Sequence, residues 1–327
     1  MLEAEPAYAN LAPNFKTVFN GLKNQNPGYI AHEYLNLDWD LMYFSDVAQL
    51  SQSAKLDFAI SAVPIDSFIN YLGKKINEFL QKVTNPIMRE QIKDYFINRQ
   101  FRKDIYVRGA RKLSAAEIFD KVFSIRYILT RPAAVVPMKM AFYTGEINFN
   151  ENIYKPLLEY LQEDNFRPKD LKSYLTKTGA NPQQLLEVIC MLVHGNNILP
   201  CQSESAVKIV KKSCERLNNY ICERSKFGDA INFLASPLTG GGVGMDRFQQ
   251  LFLLNYKAGE RSAEKLAASL WKILSEQGQK IIVEDKSSEN PSGRKLLETP
   301  EENLAHLKNL AEDFLSKQLP IYKALLL

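Results

Sequence analysis

The stretch YIAHEYLNLDWDLMYFSDVAQLSQSAKLDFAISA, residues 29–62, decides how the rest of the chain is read. Its second half carries a helical period. Phe44, Val47, Ala48 and Ser51 step three and four apart, so residues 40–60 are expected to form a helix with one packed face. The first half sets His32 and Glu33 beside Tyr34 and Asn36. A histidine–carboxylate pair has the makings of an acid–base dyad. The competing reading has His32 capping or hydrogen-bonding locally while Tyr34, Leu35 and Trp39 pack.

Moving outward, Pro64 marks a break, and a second helix is expected from about Asp66 to Val83. Asn85 and Pro86 have the N-cap and first-turn chemistry of the next helix start. Ser114 and Glu117 stand at capping-box spacing, which predicts a helix over 114–129. A change of texture follows. MKMAFYTG and EINFN, broken at Gly145, read as a hairpin, and helices are expected at 151–163, 168–177 and 181–194 before the short strand NILPC. Residues 203–232 read as one long helix with a basic face, followed by a Gly-rich loop and helices at 246–257, 262–277 and 300–318. The polar segment 284–302 reads as a turn or mobile loop. The expected fold class is mainly α with small α+β parts: a helical unit at 1–132, a winged-helix-like unit at 133–202, and a second such α/β unit at 203–327.

Four blocks together resemble one family. Residues 29–62 are similar to the signature of the methyltransferase regulatory domain. REQIKDYFINRQFRKDIYVR (89–108) is similar to its second half, where the run Asn98, Arg99, Gln100, Phe101 and Arg102 closes a helix. FLASPLTGGGVGMDRFQQLFLL (233–254) and LPIYKALLL (319–327) resemble blocks near the C-terminus of the same proteins. The resemblance implies a bacterial protein-lysine methyltransferase whose S-adenosylmethionine (SAM) domain normally stands directly before the regulatory domain. About thirty residues precede the signature here, too few for a doubly wound catalytic domain. The expectation is a noncatalytic regulatory, oligomerisation and substrate-recognition region. It binds no cofactor itself, and SAM belongs to a catalytic domain supplied in cis or in trans. The implied partners are that domain, a protein substrate (an outer-membrane protein in the best-described relatives) and a second copy of the chain. The resemblance assigns no role to the motif residues His32, Glu33, Tyr34 and Asn36.

Composition agrees with a soluble class: 46% hydrophobic and 24% charged residues, with no apolar run long enough for a membrane helix. The N-terminus lacks the features of a secretory signal, so cytoplasmic residence is expected. Cys190, Cys201, Cys214 and Cys222 show no metal-binding spacing and are expected to be reduced and packed. The net charge of +4 conceals an asymmetry. Arg99, Arg102, Lys103, Arg108, Arg111 and Lys112 face one acid, Asp104, so residues 99–112 carry +5 and the remainder −1. This segment is either a contact for an acidic partner or a solvated helix end with partial internal pairing to Asp94 and Asp104.

TGGGVG (239–244) is the strongest nucleotide-like motif, yet Met245 stands where G-x-G-x-x-G needs its last glycine, and no phosphate-loop Lys follows. It reads as a turn needing positive φ after a helix ending in Ala-Ser-Pro. His194, at a helix C-terminus, is placed where the dipole favours a cation. No hydrolase, zincin or Cys-His signature is present. The alternative to the regulatory reading is a nucleic-acid-binding winged-helix regulator. The candidate recognition helix 181–194 has no Lys or Arg, which argues against duplex binding.

Overall fold

Caps and prolines set most helix starts. In the computed structural model, which describes residues 15–22, 25–284 and 293–327, Asn85 accepts the amide of Met88 at 3.0 Å and Pro86 opens its helix. Ser114 and Glu117 form the expected capping box, and Asn181 caps the helix begun by Pro182. The elements run α1 (Phe15–Leu22), α2 (Pro27–Tyr34), α3 (Phe44–Ser53), β1 (Asp57–Ser61), α4 (Lys74–Lys82), α5 (Pro86–Phe96), β2 (Asp104–Val107) and α6 (Ala115–Ser124). There follow β3 (Arg126–Leu129), β4 (Lys139–Phe142), β5 (Gly145–Asn148), α7 (Glu151–Phe166), β6 (Lys169–Asp170), α8 (Lys172–Thr178), α9 (Pro182–His194) and β7 (Ile198–Pro200). The last part comprises α10 (Glu204–Arg224), β8 (Phe233–Ser236), β9 (Gly241–Gly244), α11 (Arg247–Lys257), α12 (Ala263–Glu276), β10 (Ile282–Glu284), β11 (Arg294–Leu296), α13 (Pro300–Asp313) and α14 (Leu319–Ala324). The fold is mainly helical with small antiparallel sheets. No described helix is long and apolar enough to cross a membrane.

Several expected helices end early because a strand takes over. The helix expected over 40–60 is only α3. Leu56 turns the chain back onto Ser51, and residues 57–61 pair with β2. Residues 64–72 form two short 3-10 turns rather than the start of a long helix, and Gly73, at φ 95°, permits the turn into α4. The helix expected to Leu129 stops at Ser124, since residues 126–129 form the middle strand of the sheet β6-β3-β7. α10 ends at Arg224. TGGGVG therefore follows a strand, β8, and its residues 241–244 pair with that strand; only Gly240 takes positive φ. Of the polar segment 284–302, its first residue belongs to the strand 282–284 that pairs with 294–296, and residues 285–292 lie outside the described residues.

β3 organises the interior. Strand alternation sends Tyr127 and Leu129 into a core with Leu157, Leu161, Leu192 and Ile198. Ile128 points the other way, into a core with Leu251, Leu270, Phe314 and Leu325. The N-terminal part has a smaller apolar interior. Phe44, Ala48, Leu72 and Leu80 are buried there alongside the polar Ser61, Asp66, Gln91, Lys93 and Asp94.

Candidate functional site

That polar interior gathers around two arginines placed by the end of α5. Ile97 caps the helix and Asn98, at φ 48°, turns the chain so that Arg99 and Arg102 fold back over it. Arg102 donates from Nη1 to Asp94 Oδ1 at 2.6 Å, from Nε to Asp104 Oδ2 at 2.7 Å and from Nη2 to Asp104 Oδ1 at 3.0 Å. A further bond reaches Glu90 Oε2 at 3.2 Å, and Glu90 also holds Lys93 at 2.8 Å. The guanidinium lies 4.0 Å from the centroid of the Phe44 ring, a cation–π contact that roofs the network. Arg99 Nη2 donates to Asp66 Oδ1 at 2.7 Å and to the Tyr143 hydroxyl at 3.1 Å. Tyr143 donates onward to Asp66 at 2.7 Å, and Ser61 donates to the other Asp66 oxygen at 2.6 Å.

The two central carboxylates respond oppositely. Burial alone would raise Asp66, but hydrogen bonds from Arg99, Ser61 and Tyr143 outweigh it and hold its pKa below the ordinary value. Burial prevails at Asp94, which is raised despite the Arg102 bond. Arg102 is raised further: burial opposes its charge, yet Asp104 and Asp94 more than compensate.

Beside the network, between α3, α5 and β2, opens a cleft of about 440 Å³. Met42, Tyr43, Phe44, Gln91, Asp94 and Tyr95 line much of it, with Arg99, Arg102 and Tyr106 among the other walls. The Tyr43 and Tyr95 rings meet edge to face at 6.4 Å.

The six basic residues of 99–112 thus separate. Arg99 and Arg102 are committed to internal carboxylates, so they do not form the open basic face that their clustering suggested. Arg108 donates to the Ala54 carbonyl at 2.9 Å and Arg111 pairs with Glu117 at 2.9 Å, both exposed. Lys103 and Lys112 are exposed and make no ion pair among the described residues. Asp94 and Asp104 were visible as near-sequence partners; Asp66, Glu90 and Tyr143 were not.

The motif residues of α2 stand apart from this network. The side chains of His32 and Glu33 make no hydrogen bond or ion pair with described residues, so the expected local bond of the His32 ring is not formed. Tyr34 meets Tyr29 and Trp39 edge-on at 6.3 and 6.2 Å, but all three remain exposed. Asn36 accepts the Asp38 amide at 3.2 Å. No residue of α2 is buried.

Elsewhere, burial lowers the pKa of His194 rather than favouring its cation. All four cysteines are free. Burial pushes Cys190 and Cys222 to about 11 and Cys201 to about 12, which makes them poor nucleophiles. Sequence reading also missed Tyr71, which donates to Glu187 of α9. Burial and that bond raise its pKa to about 12.

Residues 26–108 match a family described as the predicted methyltransferase regulatory domain. An uncharacterized protein of Synechocystis sp., sll1526, is 35% identical over 323 residues, covering 98% of this chain and 61% of that protein. The structure of PKMT2 from Rickettsia typhi matches with a TM-score of 0.56 at 14% identity, covering 98% of this chain and 64% of that one. PKMT2 in complex with AdoHcy gives a TM-score of 0.55 at 14% identity, covering 98% and 63% respectively. The chain spans less than two thirds of the length of each of these relatives. With the two PKMT2 structures the shared property is the fold.

Proposed function

We propose, from a chain whose residues 26–108 match a methyltransferase regulatory domain, that it serves as the regulatory and substrate-recognition region of a bacterial SAM-dependent protein-lysine methyltransferase. It works in the cytoplasm alongside a SAM-binding domain supplied in cis or in trans. The carrying observation is the face presented by the matched segment. Tyr29, Tyr34, Leu35, Leu37, Trp39 and Leu41 are exposed together, Leu37 at 99%. Apolar side chains exposed at this density along one short segment mark an interaction site, and we assign it to the SAM domain. PKMT2, whose fold covers nearly all of this chain, binds AdoHcy in one of its structures, which supports a SAM-dependent partner.

The order α7, β6, α8, α9, β7 supports a winged-helix-like reading of residues 133–202. With no Lys or Arg in α9, that unit suits a protein contact better than a duplex. A protein substrate would meet the remaining exposed cations of the run, Lys103, Arg108, Arg111 and Lys112.

The test is recovery of the tagged chain from its native cell extract, wild type beside Leu37→Asp. Wild type is expected to bring down a SAM-binding methyltransferase polypeptide that Leu37→Asp loses. Reversing the charge of Arg108 and Arg111 is expected to weaken capture of the protein substrate without affecting that polypeptide. Nucleic acid as the sole reproducible partner would overturn the reading in favour of a nucleic-acid-binding regulator.

A further inference from the structure

The motif TGGGVG, residues 239–244, ends in a strand whose outer edge is open. β9 pairs with β8, and no other described strand lies beside either. The two edges of this hairpin differ. On the β8 side, Asn218 caps both the amide and the carbonyl of Ala235. Those groups therefore point away from β9, so Ala235 and its opposite number Gly242 form a non-hydrogen-bonded pair. The amide and carbonyl of Gly242 face outward in consequence, and those of Gly244, opposite Phe233, do the same two residues on. Met245 turns inward again and donates to the Asn232 carbonyl at 3.0 Å, as the alternation requires. Gly242 and Gly244 are exposed, and none of their outward groups has a hydrogen-bond partner among the described residues.

Exposed edges are ordinarily guarded by charge, proline, a bulge or a covering element. Gly-Gly-Val-Gly carries no charge and no proline, and its register is regular. Its surroundings suit a guest strand instead. The Phe233 ring, 59% exposed, leans across β9: a Cβ at Gly242 would sit 3.6 Å from it and one at Gly244 4.0 Å. Glycine interposes no side chain, so an apolar side chain on an added strand can meet that ring. Gly244 also lines a cleft of about 430 Å³, with Thr130, Arg131, Val135, Gln249 and Lys317 among its other walls. Both charged side chains lining it are basic. Lys317 is paired with Asp313 at 2.7 Å, whereas Arg131 is exposed and has no ion pair or hydrogen bond among the described residues. Even counting Asp313, one positive charge is uncompensated. A nucleic-acid phosphate would accept from the glycine amides but leave their carbonyls unanswered, while a polypeptide main chain supplies donors and acceptors alike.

We propose that an extended segment of a partner polypeptide adds to β9 as a third strand, through the main chain of Gly242 and Gly244, and sets an acidic side chain against Arg131. Strand addition of this kind takes its affinity from main-chain bonds and its specificity from side-chain contacts. The site stands on the geometry of the hairpin and the cleft. Assigning its guest to the acceptor protein deepens the proposed function and rests on it: the C-terminal part of the chain would hold the acceptor as a strand.

An NMR titration of the purified full chain with the blocked peptide Thr-Val-Glu-Val-Thr puts this to the test. The amide signals of Gly242 and Gly244 are expected to shift saturably. Replacing Glu by Gln in the peptide should weaken binding roughly threefold, the scale of one exposed ion pair, and Arg131→Gln in the chain should erase that difference. The same peptide methylated on its inner main-chain nitrogens cannot pair as a strand and should not bind the unaltered chain. Gly242→Pro should also abolish binding at an unchanged melting temperature, because proline is tolerated where the N–H faces out of a sheet edge. No saturable shift at the two glycines, equal binding of the methylated peptide, or equal binding of the Glu and Gln peptides would each overturn the proposal. So would shifts of the same amides with rising concentration of the chain alone, which would assign the edge to a second copy. Failure of every peptide with the methyltransferase polypeptide still recovered leaves the proposed function standing. Peptide binding with no methyltransferase polypeptide recovered refutes that function and keeps the site.

Discussion

Arg102 carries more of the N-terminal interior than any apolar side chain around it. Its fork bridges α5 to β2 through Asp94 and Asp104, and its face covers Phe44 of α3. Removing one member of a buried ionic network leaves the others charged and unpaired, at a cost of about 3–5 kcal/mol. Arg102→Ala is expected to lose stability in that range in urea denaturation. Arg102→Lys should recover little, because an ammonium cannot reproduce the planar fork or its stacking. Asp66 offers a second test with a definite sign. Its folded pKa lies below the unfolded value of about 3.9. Its contribution is therefore fully present above that unfolded value and lost as pH falls through the folded one. Asp66→Asn should destabilise at pH 7, and the gap to wild type should close as pH falls below about 4; a constant gap would contradict the ionic role. The basic run 99–112 was legible as a charge cluster, and its pairing to Asp94 and Asp104 was legible as one alternative. Asp66 and Tyr143 approach Arg99 from 33 and 44 positions away, a distance that local sequence does not report.

Among the elements, helix starts were easier to read than helix ends. Asn85, Ser114 and Asn181 act through their own next three residues, so their chemistry is local. The strands at 57–61, 126–129 and 233–236 depend on partners elsewhere in the chain. A short apolar run before pairing suits helix and strand alike, which is why three helices were read too long. β8 shows what decides the matter. Asn218, fully buried on α10, accepts the Ala235 amide at 2.7 Å and donates to the Ala235 carbonyl at 2.8 Å, standing in for a missing neighbour strand. Asn218→Leu strands both backbone groups, and a cost of roughly 2 kcal/mol or more is expected from chemical denaturation. By contrast, residues 208–213 of the same helix are exposed on every side. Their amides should exchange with solvent far faster than those of residues 218–224, as hydrogen-exchange mass spectrometry can verify. Equal protection along α10 would mean that a partner covers its first half.

At the scale of the molecule, β3 ties the middle and C-terminal parts together. The four residues Arg126–Leu129 pair on both sides, with β6 and with β7, and their side chains alternate between the two large cores. A boundary after residue 132 fits the change of sequence texture at Arg131-Pro132, but it would part β3 from the sheet it centres. Ile128 is 1% exposed and Leu129 fully buried, so truncating either to Ala should cost about 2–5 kcal/mol. Because each reaches a different core through one backbone, both substitutions should shift a single shared unfolding transition. A chain of residues 133–327 lacks the central strand, leaving β6 and β7 unpaired and opening both cores. It is expected to be unfolded or aggregated, whereas residues 113–327, which retain α6 and β3, should fold cooperatively. Circular dichroism and calorimetry of the two fragments decide the matter. A stable 133–327 fragment would show that the cores close without β3, and that the link between the two parts is dispensable.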